Sequence, residues 1–233
     1  MNTPVPPETL DSMKTYYRER AQEYDEWFYR QGRYDRGSQA NARWFAEADE
    51  VVQALEALSL TGDVLELAPG TGIWTQRLAQ TASTVTAVDA SPEMIEINRA
   101  KVSSNRVTYQ LADLFTWRPD RTYDAVFFGF WLSHVPLERL DEFLQRVAGM
   151  VRHGGSVFFV DGQREQSSTA SNHHLPMPES QVMTRILNNG RSFEIVKNFY
   201  TPSELAAQCL HAGLDMTIRE TGTYFIYGYG TRQ

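Results

Sequence analysis

From Asp63 onward the chain alternates short β-rich runs with stretches of helical period, and few folds accept that order. The runs are Val64–Leu67, Val85–Val88, Val107–Gln110, Ala125–Phe128 and Val157–Val160. Strands separated by helices are joined by crossovers, so the pattern predicts a mostly parallel sheet. Ser91-Pro92 and Thr201-Pro202 each place a capping residue before a proline at the first helical position. Glu204, three residues after Thr201, completes a capping box. Gly154-Gly155 and Gly213 mark the ends of the helices before them.

Two helices precede the first strand. Met13, Tyr17, Ala21, Tyr24 and Phe28 recur at helical spacing within Glu8–Tyr29, and Ala42, Phe45, Ala48, Val52, Leu55 and Leu58 do so within Ser38–Ser59. After the fifth strand, the polar run Gln163–Ser180 predicts a loop. Val182–Leu187, the turn Asn188-Asn189-Gly190 and Ser192–Val196 then read as a hairpin. Leu214–Thr221 and Tyr224–Tyr229 close the chain as antiparallel neighbours.

The 233 residues suffice for one α/β domain with a substantial core. With 42% apolar and 22% charged residues, disordered and collagen-like classes are excluded. A net charge of −7 without a basic cluster argues against nucleic acid as a partner. The single cysteine, Cys209, cannot form an internal disulfide and lies in an apolar helical pattern, as a core thiol would. The proline-rich start Met1–Leu10 has no signal-peptide core, and no apolar run is long enough to span a membrane. A cytoplasmic protein with no membrane partner is expected; the oligomeric state is not legible.

The strongest local signal is Val64-Leu65-Glu66-Leu67-Ala68-Pro69-Gly70-Thr71-Gly72, a buried strand entering a glycine-bearing turn and then a helix over Ile73–Gln80. Such a turn lies where open α/β sheets bind ligands, and its glycines admit a ligand close to the backbone. Asp89, at the end of the next strand, can accept both hydroxyls of a ribose. A dinucleotide fingerprint requires a third glycine where this chain has Thr75. Glu66 suits a sulfonium ligand bearing an amino group better than a pyrophosphate.

With these motifs the segment Asp63–Asp161 resembles the class I, Rossmann-like S-adenosylmethionine-dependent methyltransferases, in the branch acting on small molecules. The resemblance implies a three-layer α/β fold with a mostly parallel seven-stranded sheet, an antiparallel last strand, an N-terminal helical lid and a small inserted hairpin. It divides a single domain, 1–233, into a lid (1–60), a cofactor-binding core (61–161), a substrate-cover insertion (162–200) and a final helix with strands (201–233). S-adenosylmethionine is the implied cofactor. Glu66, Ala68, Gly70 and Gly72 match the acidic-glycine motif that cradles its methionine part, with Ala68 replacing the usual first glycine. Asp89 matches the ribose acid, with Ala90 and Met94 beside the adenine in a D-x-S-x-x-M pattern. Asp113 and Leu114 match the adenine contact after the third strand, and Phe130 matches a cofactor contact after the fourth. The aromatic segment from Tyr16 to Asp25 resembles a lid helix, so Tyr16 or Tyr24 is expected to reach the methionine carboxylate or to close over the site.

Trp131, Ser133 and His134 come after the fourth strand, between cofactor and substrate in this family. His134 is the candidate general base, since an ordinary imidazole titrates near neutrality; its other readings are a cap on the helix beginning at Pro136 and a hydrogen bond to the substrate without taking its proton. Trp27, Tyr29 and Arg185 are candidate small-molecule contacts, with core packing or solvation as their alternatives. His173 and His174 lack a ligand cluster at metal spacing, so no metal is expected. Two further functions are open: an NAD-linked oxidoreductase, opposed by Thr75 and by the lack of a Tyr-x-x-x-Lys pair, and a non-catalytic cofactor-binding regulator. O- or N-methylation of a small molecule is the expected activity.

Overall fold

The computed structural model describes residues 4–233, so Met1–Thr3 of the proline-rich start lie outside the described residues. Seven strands form one sheet: β1 (Asp63–Leu67), β2 (Thr84–Asp89), β3 (Val107–Leu111), β4 (Tyr123–Gly129), β5 (Val151–Gly162), β8 (Leu214–Glu220) and β9 (Phe225–Arg232). Their order is β3-β2-β1-β4-β5-β9-β8. β1 to β5 pair in parallel, whereas β9 runs antiparallel to both its neighbours. The chain moves outward from β1 to β3 and then restarts at β4 on the other side of β1. The carboxyl ends of β1 and β4 therefore flank the crevice where such sheets hold ligands.

Alternate side chains along each strand serve opposite faces. Leu65, Leu67, Val126, Phe128, Val157 and Phe159 pack on one face, beneath α1 (Pro7–Arg20), α6 (Leu140–Met150) and α7 (Pro202–His211). Val64, Val85, Ala125, Phe127, Phe158 and Val160 face the other way onto α3 (Ser38–Leu58) and α4 (Thr75–Thr81). Cys209 is buried on the first face, and burial pushes its thiol up to about 12. α5 (Pro92–Val102) starts at Ser91, whose hydroxyl accepts from the Met94 amide at 3.2 Å.

A small separate sheet, β6 (Val182–Ile186) with antiparallel β7 (Ser192–Val196), lies against α1, and its turn is the expected Asn188-Asn189-Gly190. Three local expectations are corrected. The first helix does not run unbroken to Tyr29: a 3₁₀ turn at Ala21–Glu23 separates α1 from α2 (Tyr24–Phe28). The buried stripe is Thr9, Met13, Tyr16 and Arg20, and the turn redirects the chain so that Tyr24 and Asp25 reach the glycine loop. Gly154-Gly155 do not end a helix, because α6 passes directly into β5. They form a kink there, with Gly154 at φ 70° and no room for a Cβ on Gly155 beside the carbonyls of Asp124 and Arg152. Thr201 stands before α7 without capping an amide, since its hydroxyl donates to Glu204 at 2.6 Å.

α3 is tied to the far edge of the sheet by Glu47, only 8% exposed. Its Oε2 accepts from the Thr221 hydroxyl at 2.5 Å and from the amides of Thr223 and Tyr224 at 2.9 and 2.7 Å. Substitution Glu47→Ala leaves those buried donors unpaired and is expected to destabilise the protein by about 2–4 kcal/mol, read by urea denaturation. A change under about 0.5 kcal/mol would show that water satisfies the turn.

Candidate active site

The loop after β1 is shaped by its backbone. Ala68 and Gly70 both have φ 53° and Gly72 has φ 92°. Asn98 on α5 supports this bend, donating to the Gly70 carbonyl at 3.1 Å and to Thr75 at 2.9 Å, while its own oxygen accepts from Tyr109 at 2.8 Å. A Cβ on Gly72 would stand 2.8 Å from that oxygen, so glycine is needed there for packing as well as conformation. Asn98 was not singled out in the sequence, although a fully buried polar residue on the Met94–Ile95–Asn98 stripe is the signal that could have found it.

A cleft of about 700 Å³, open to solvent at its mouth, runs over the carboxyl ends of β1, β2 and β4. Among the expected residues, Tyr24, Ala68, Gly70, Asp89, Ala90, Met94, Asp113, Leu114, Phe130, Trp131 and His134 are all on its wall. Met13, Lys14, Tyr17, Ser91 and Phe115 join them without having been anticipated. Glu66 and Gly72 do not face it. Glu66 is buried beneath the loop, 1% exposed, with no hydrogen bond to its oxygens. Burial pushes its carboxyl up to about 8 against the opposing pull of Thr75, with a smaller upward contribution from the nearby Asp89. Burial disfavours the negative charge at Glu66 on which the expected preference for a sulfonium rests.

Asp89 Oδ2 accepts from the Gly70 amide at 3.1 Å and Oδ1 from the Ser91 amide at 2.9 Å. Burial outweighs these donors and raises the carboxyl to about 6. It therefore protonates near pH 6, where an ordinary aspartate stays ionised. If it accepts ribose hydroxyls, affinity for a nucleoside falls as pH drops from 7 to 5, and Asp89→Asn removes that dependence. Titration with S-adenosylhomocysteine across this range checks it; a flat wild-type profile would count against the assignment. Asp113 meets the cleft already engaged, accepting from Lys14 at 2.7 Å and the Phe115 amide at 2.8 Å. Partial burial disfavours its charge, but Lys14 overrides this and holds it below the usual carboxylate range.

A second cleft of about 580 Å³ lies behind the first. Tyr17, Tyr24, Phe130 and His134 belong to both walls. Trp27 and Arg185 line the second, as the sequence suggested, together with Arg20, Gln163 and Lys197, which it did not single out. Trp131 belongs to the first cleft, with its indole N–H buried and unbonded. Tyr29 is corrected: it is 46% exposed, packs edge-on to Phe28 and lines neither cleft. Tyr16 is corrected as well. It is fully buried against Phe193 and Arg20, and Tyr17, the next residue around the helix, takes the wall position.

Ser133 is buried behind the second cleft, where its amide donates to Asp161 at 2.9 Å and its hydroxyl accepts from Lys197 at 2.8 Å. Lys197 also reaches Asp161 at 3.2 Å. Burial would raise the Asp161 carboxyl, but Lys197, His134 and the backbone donors hold it below the ordinary range. Burial lowers the Lys197 ammonium, which Asp161 opposes.

His134 is committed at both ring nitrogens. Nδ1 lies 2.6 Å from the Val196 carbonyl, which can only accept, so Nδ1 carries the proton and Nε2 accepts from the Tyr17 hydroxyl at 2.6 Å. Burial and then Lys197 lower the ring to about 3. A ring that weakly basic, with its lone pair occupied, is poorly suited to take a proton at neutral pH, which argues against the general-base expectation. Its helix-cap reading also fails, because its bonds run to Tyr17 and Val196.

The sheet's switch point, the positive-φ loop and the acids at the end of β2 and just after β3 define an α/β protein with a ligand cleft over the carboxyl ends of its strands. Comparison with known proteins specifies it. The methyltransferase-domain family matches residues 64–155. The structure of DhpI in complex with SAM and HEP is 36% identical with a TM-score of 0.80, covering 97% of this chain and 98% of that one. DhpI bound to SAH is 34% identical with a TM-score of 0.78 and 98% of each chain covered. The ubiquinone biosynthesis O-methyltransferase of Xylella fastidiosa (strain 9a5c) is 30% identical over 158 residues, 66% of this chain and 61% of that protein. The chain spans 38–62% of the length of curated relatives it matches. The chain belongs to the class I S-adenosylmethionine-dependent methyltransferases, whose cofactor is S-adenosylmethionine. The oxidoreductase alternative finds no support among these relatives. Among the described residues, no helix is long and apolar enough to cross a membrane.

Proposed function

We propose that the protein transfers a methyl group from S-adenosylmethionine, bound in the first cleft, to an oxygen or nitrogen of a small molecule in the second. The observation that carries this reading is the shared wall: Tyr17, Tyr24, Phe130 and His134 are where the occupants of the two clefts would meet. The first cleft fits the cofactor by its donor set. Asp89 would accept the ribose hydroxyls, and Ala68 and Gly70 leave space beside Tyr24 for the methionine part, since a Cβ on Gly70 would come no nearer than 3.8 Å to that ring. Ala90, Met94 and Leu114 would flank the adenine. Asp113, which already accepts from Lys14, would also accept from the adenine amine. The bound cofactor supplies an electrophilic methyl group on a cationic sulfur.

The chain's own task is then to place the acceptor and exclude water, and such positioning can supply roughly 7–11 kcal/mol. α1 and α2 cover the cleft and are held by Lys14–Asp113 (2.7 Å), Arg18–Glu93 (3.4 Å) and Lys101–Asp25 (2.5 Å). This supports reading 1–60 as a lid and 162–200 as a substrate cover on a single domain. We assign His134 the positioning of Tyr17. Trp27 and Arg185 contact the acceptor, with Ser133 acting through Lys197. The cytoplasmic setting rests on the sequence alone.

The test is incubation with methyl-labelled S-adenosylmethionine and a panel of small oxygen and nitrogen nucleophiles. The expected result is acceptor-dependent label transfer with one S-adenosylhomocysteine formed per methyl. A folded protein that binds neither cofactor nor product would overturn the reading.

A further inference from the structure

Of the four residues on the wall between the two clefts, Tyr17, Tyr24, Phe130 and His134, only Phe130 has a left-handed backbone, at φ 57°. There the Cβ of an L residue crowds the carbonyl that follows, a conformation that glycine takes freely and a bulky side chain avoids. The chain has a glycine one residue earlier, yet Gly129 is not the left-handed one. A Cβ on Gly129 would stand 2.9 Å from the Trp74 ring, so that glycine serves packing and the strain falls on Phe130.

Phe130 is held in this conformation by its amide, which donates to the Val160 carbonyl of β5 at 2.7 Å. The ring is fixed as well. It meets Trp27 edge-on with ring centres 4.6 Å apart. Trp27 is held in turn by its indole N–H on the Ser168 carbonyl at 2.8 Å and by the fully buried Trp44, 5.3 Å away. Phe225 backs the Phe130 ring from 6.0 Å. Despite these contacts Phe130 is only half-buried, and it lines both clefts. Strain that persists because the surroundings over-determine it collects at reacting sites. Tyr17 and Tyr24 stand on the lid helices α1 and α2, whereas Phe130 directly follows the sheet strand β4, so its place does not depend on the lid.

A methyl group moving from the first cleft to the second must pass this wall. The acceptor's lone pair bonds the methyl carbon as the carbon–sulfur bond breaks, the bonding pair stays on sulfur, and a hydroxyl or amine acceptor releases its proton to solvent. The alignment that this displacement needs brings the transferred group against the wall. A close-packed wall that cannot give way feels a single added methylene. We infer that Phe130 is the specificity-determining residue that limits the transferred group to methyl, its braced ring filling the space that a longer alkyl chain on the sulfur would need. The left-handed backbone is retained because it delivers the ring to that place. The inference deepens the proposed methyl transfer and rests on it for the direction in which the alkyl group points.

The experiment is calorimetric titration of the full chain, without acceptor, at pH 7.5 with three ligands that differ only at sulfur. They are S-adenosylmethionine, its ethyl homologue S-adenosylethionine, and S-adenosylhomocysteine, which lacks the transferred group and reports any loss common to all three. The wild type is expected to bind the ethyl homologue about tenfold or more weaker than S-adenosylmethionine, the factor that one unaccommodated methylene brings. In Phe130→Ala the two affinities should agree within about twofold. Thermal melts give a readout that needs no ligand. Phe130→Gly should melt about 2 °C or more above Phe130→Ala, since both lack the ring and only glycine takes φ 57° freely. Equal wild-type affinity for the methyl and ethyl compounds, or discrimination undiminished in Phe130→Ala, overturns the inference. An alanine variant that melts above the glycine variant also overturns it, by removing the strain on which it rests. If Phe130→Ala does not fold, Phe130→Leu decides by the same ratio, because it keeps an apolar side chain and loses the ring. A protein that binds S-adenosylhomocysteine and gives any of these contrary results refutes this inference alone, whereas one that binds none of the three ligands refutes the proposed function as well.

Discussion

Replacing Asp89 by alanine is expected to weaken S-adenosylhomocysteine binding about 100-fold at pH 7.5, the largest effect on affinity of any single change in the first cleft. A pair of hydrogen bonds to a charged acceptor contributes about 3 kcal/mol when both are lost, which corresponds to that factor. Loop geometry adds to it, because the same carboxylate holds the Gly70 and Ser91 amides at 3.1 and 2.9 Å. The effect on the free protein's stability should be small. Since the folded-state acidity constant is raised to about 6, ionised Asp89 costs stability above that pH, and its removal recovers this cost while losing the two amide bonds. Calorimetry of wild type, Asp89→Asn and Asp89→Ala should give a graded loss, as the amide oxygen can still accept. An alanine variant within about threefold of wild type would show that the ribose is held elsewhere.

Asp161→Ala is expected to have the largest effect on stability. The carboxylate is 1% exposed and accepts from the amides of Ser133 and Gly162 at 2.9 and 2.7 Å as well as from Lys197 at 3.2 Å. Its loss leaves a buried ammonium and two buried amides without an acceptor. Breaking such a pair costs about 3–5 kcal/mol, or roughly 10 °C in melting temperature for a chain of this size. Because the folded carboxyl is held below its ordinary range, its contribution is present above the unfolded value and disappears as pH falls through the folded one. The wild type and the variant should therefore converge in acid. Adding Lys197→Met should restore part of the loss by removing the stranded charge, and thermal melts of the wild type and both variants measure this. A melting temperature within about 2 °C of wild type for the single variant would mean that water replaces the carboxylate.

The first cleft was readable to an unusual degree because its contacts come from the ends of consecutive strands. A strand followed by Ala68–Gly72, another ending in Asp89 and a third ending before Asp113 must place those residues side by side once the sheet is parallel. The same reading failed within single helices. Tyr16 and Tyr17 are adjacent in sequence, and nothing local states which one faces the cleft. That choice was made by Phe193 on β7 packing against Tyr16 and by His134 accepting from Tyr17. Tyr29 stayed outside because the 3₁₀ turn at Ala21–Glu23 rotates α2 and the residue after it away from the period of α1.

Period, capping and turn chemistry act over a few residues, so the strands, the Asn188-Asn189-Gly190 hairpin and the places of Gly70, Asp89 and Asp113 beside the first cleft were legible in the chain. The second cleft arises from long-range packing alone. Arg20 comes from α1, Arg185 from β6 and Lys197 from the segment after β7, and their like charges are brought together by packing of apolar neighbours rather than by any attraction among themselves. The tertiary structure also made His134 a neutral ring bound at both nitrogens, because burial and a cation distant in sequence set its protonation.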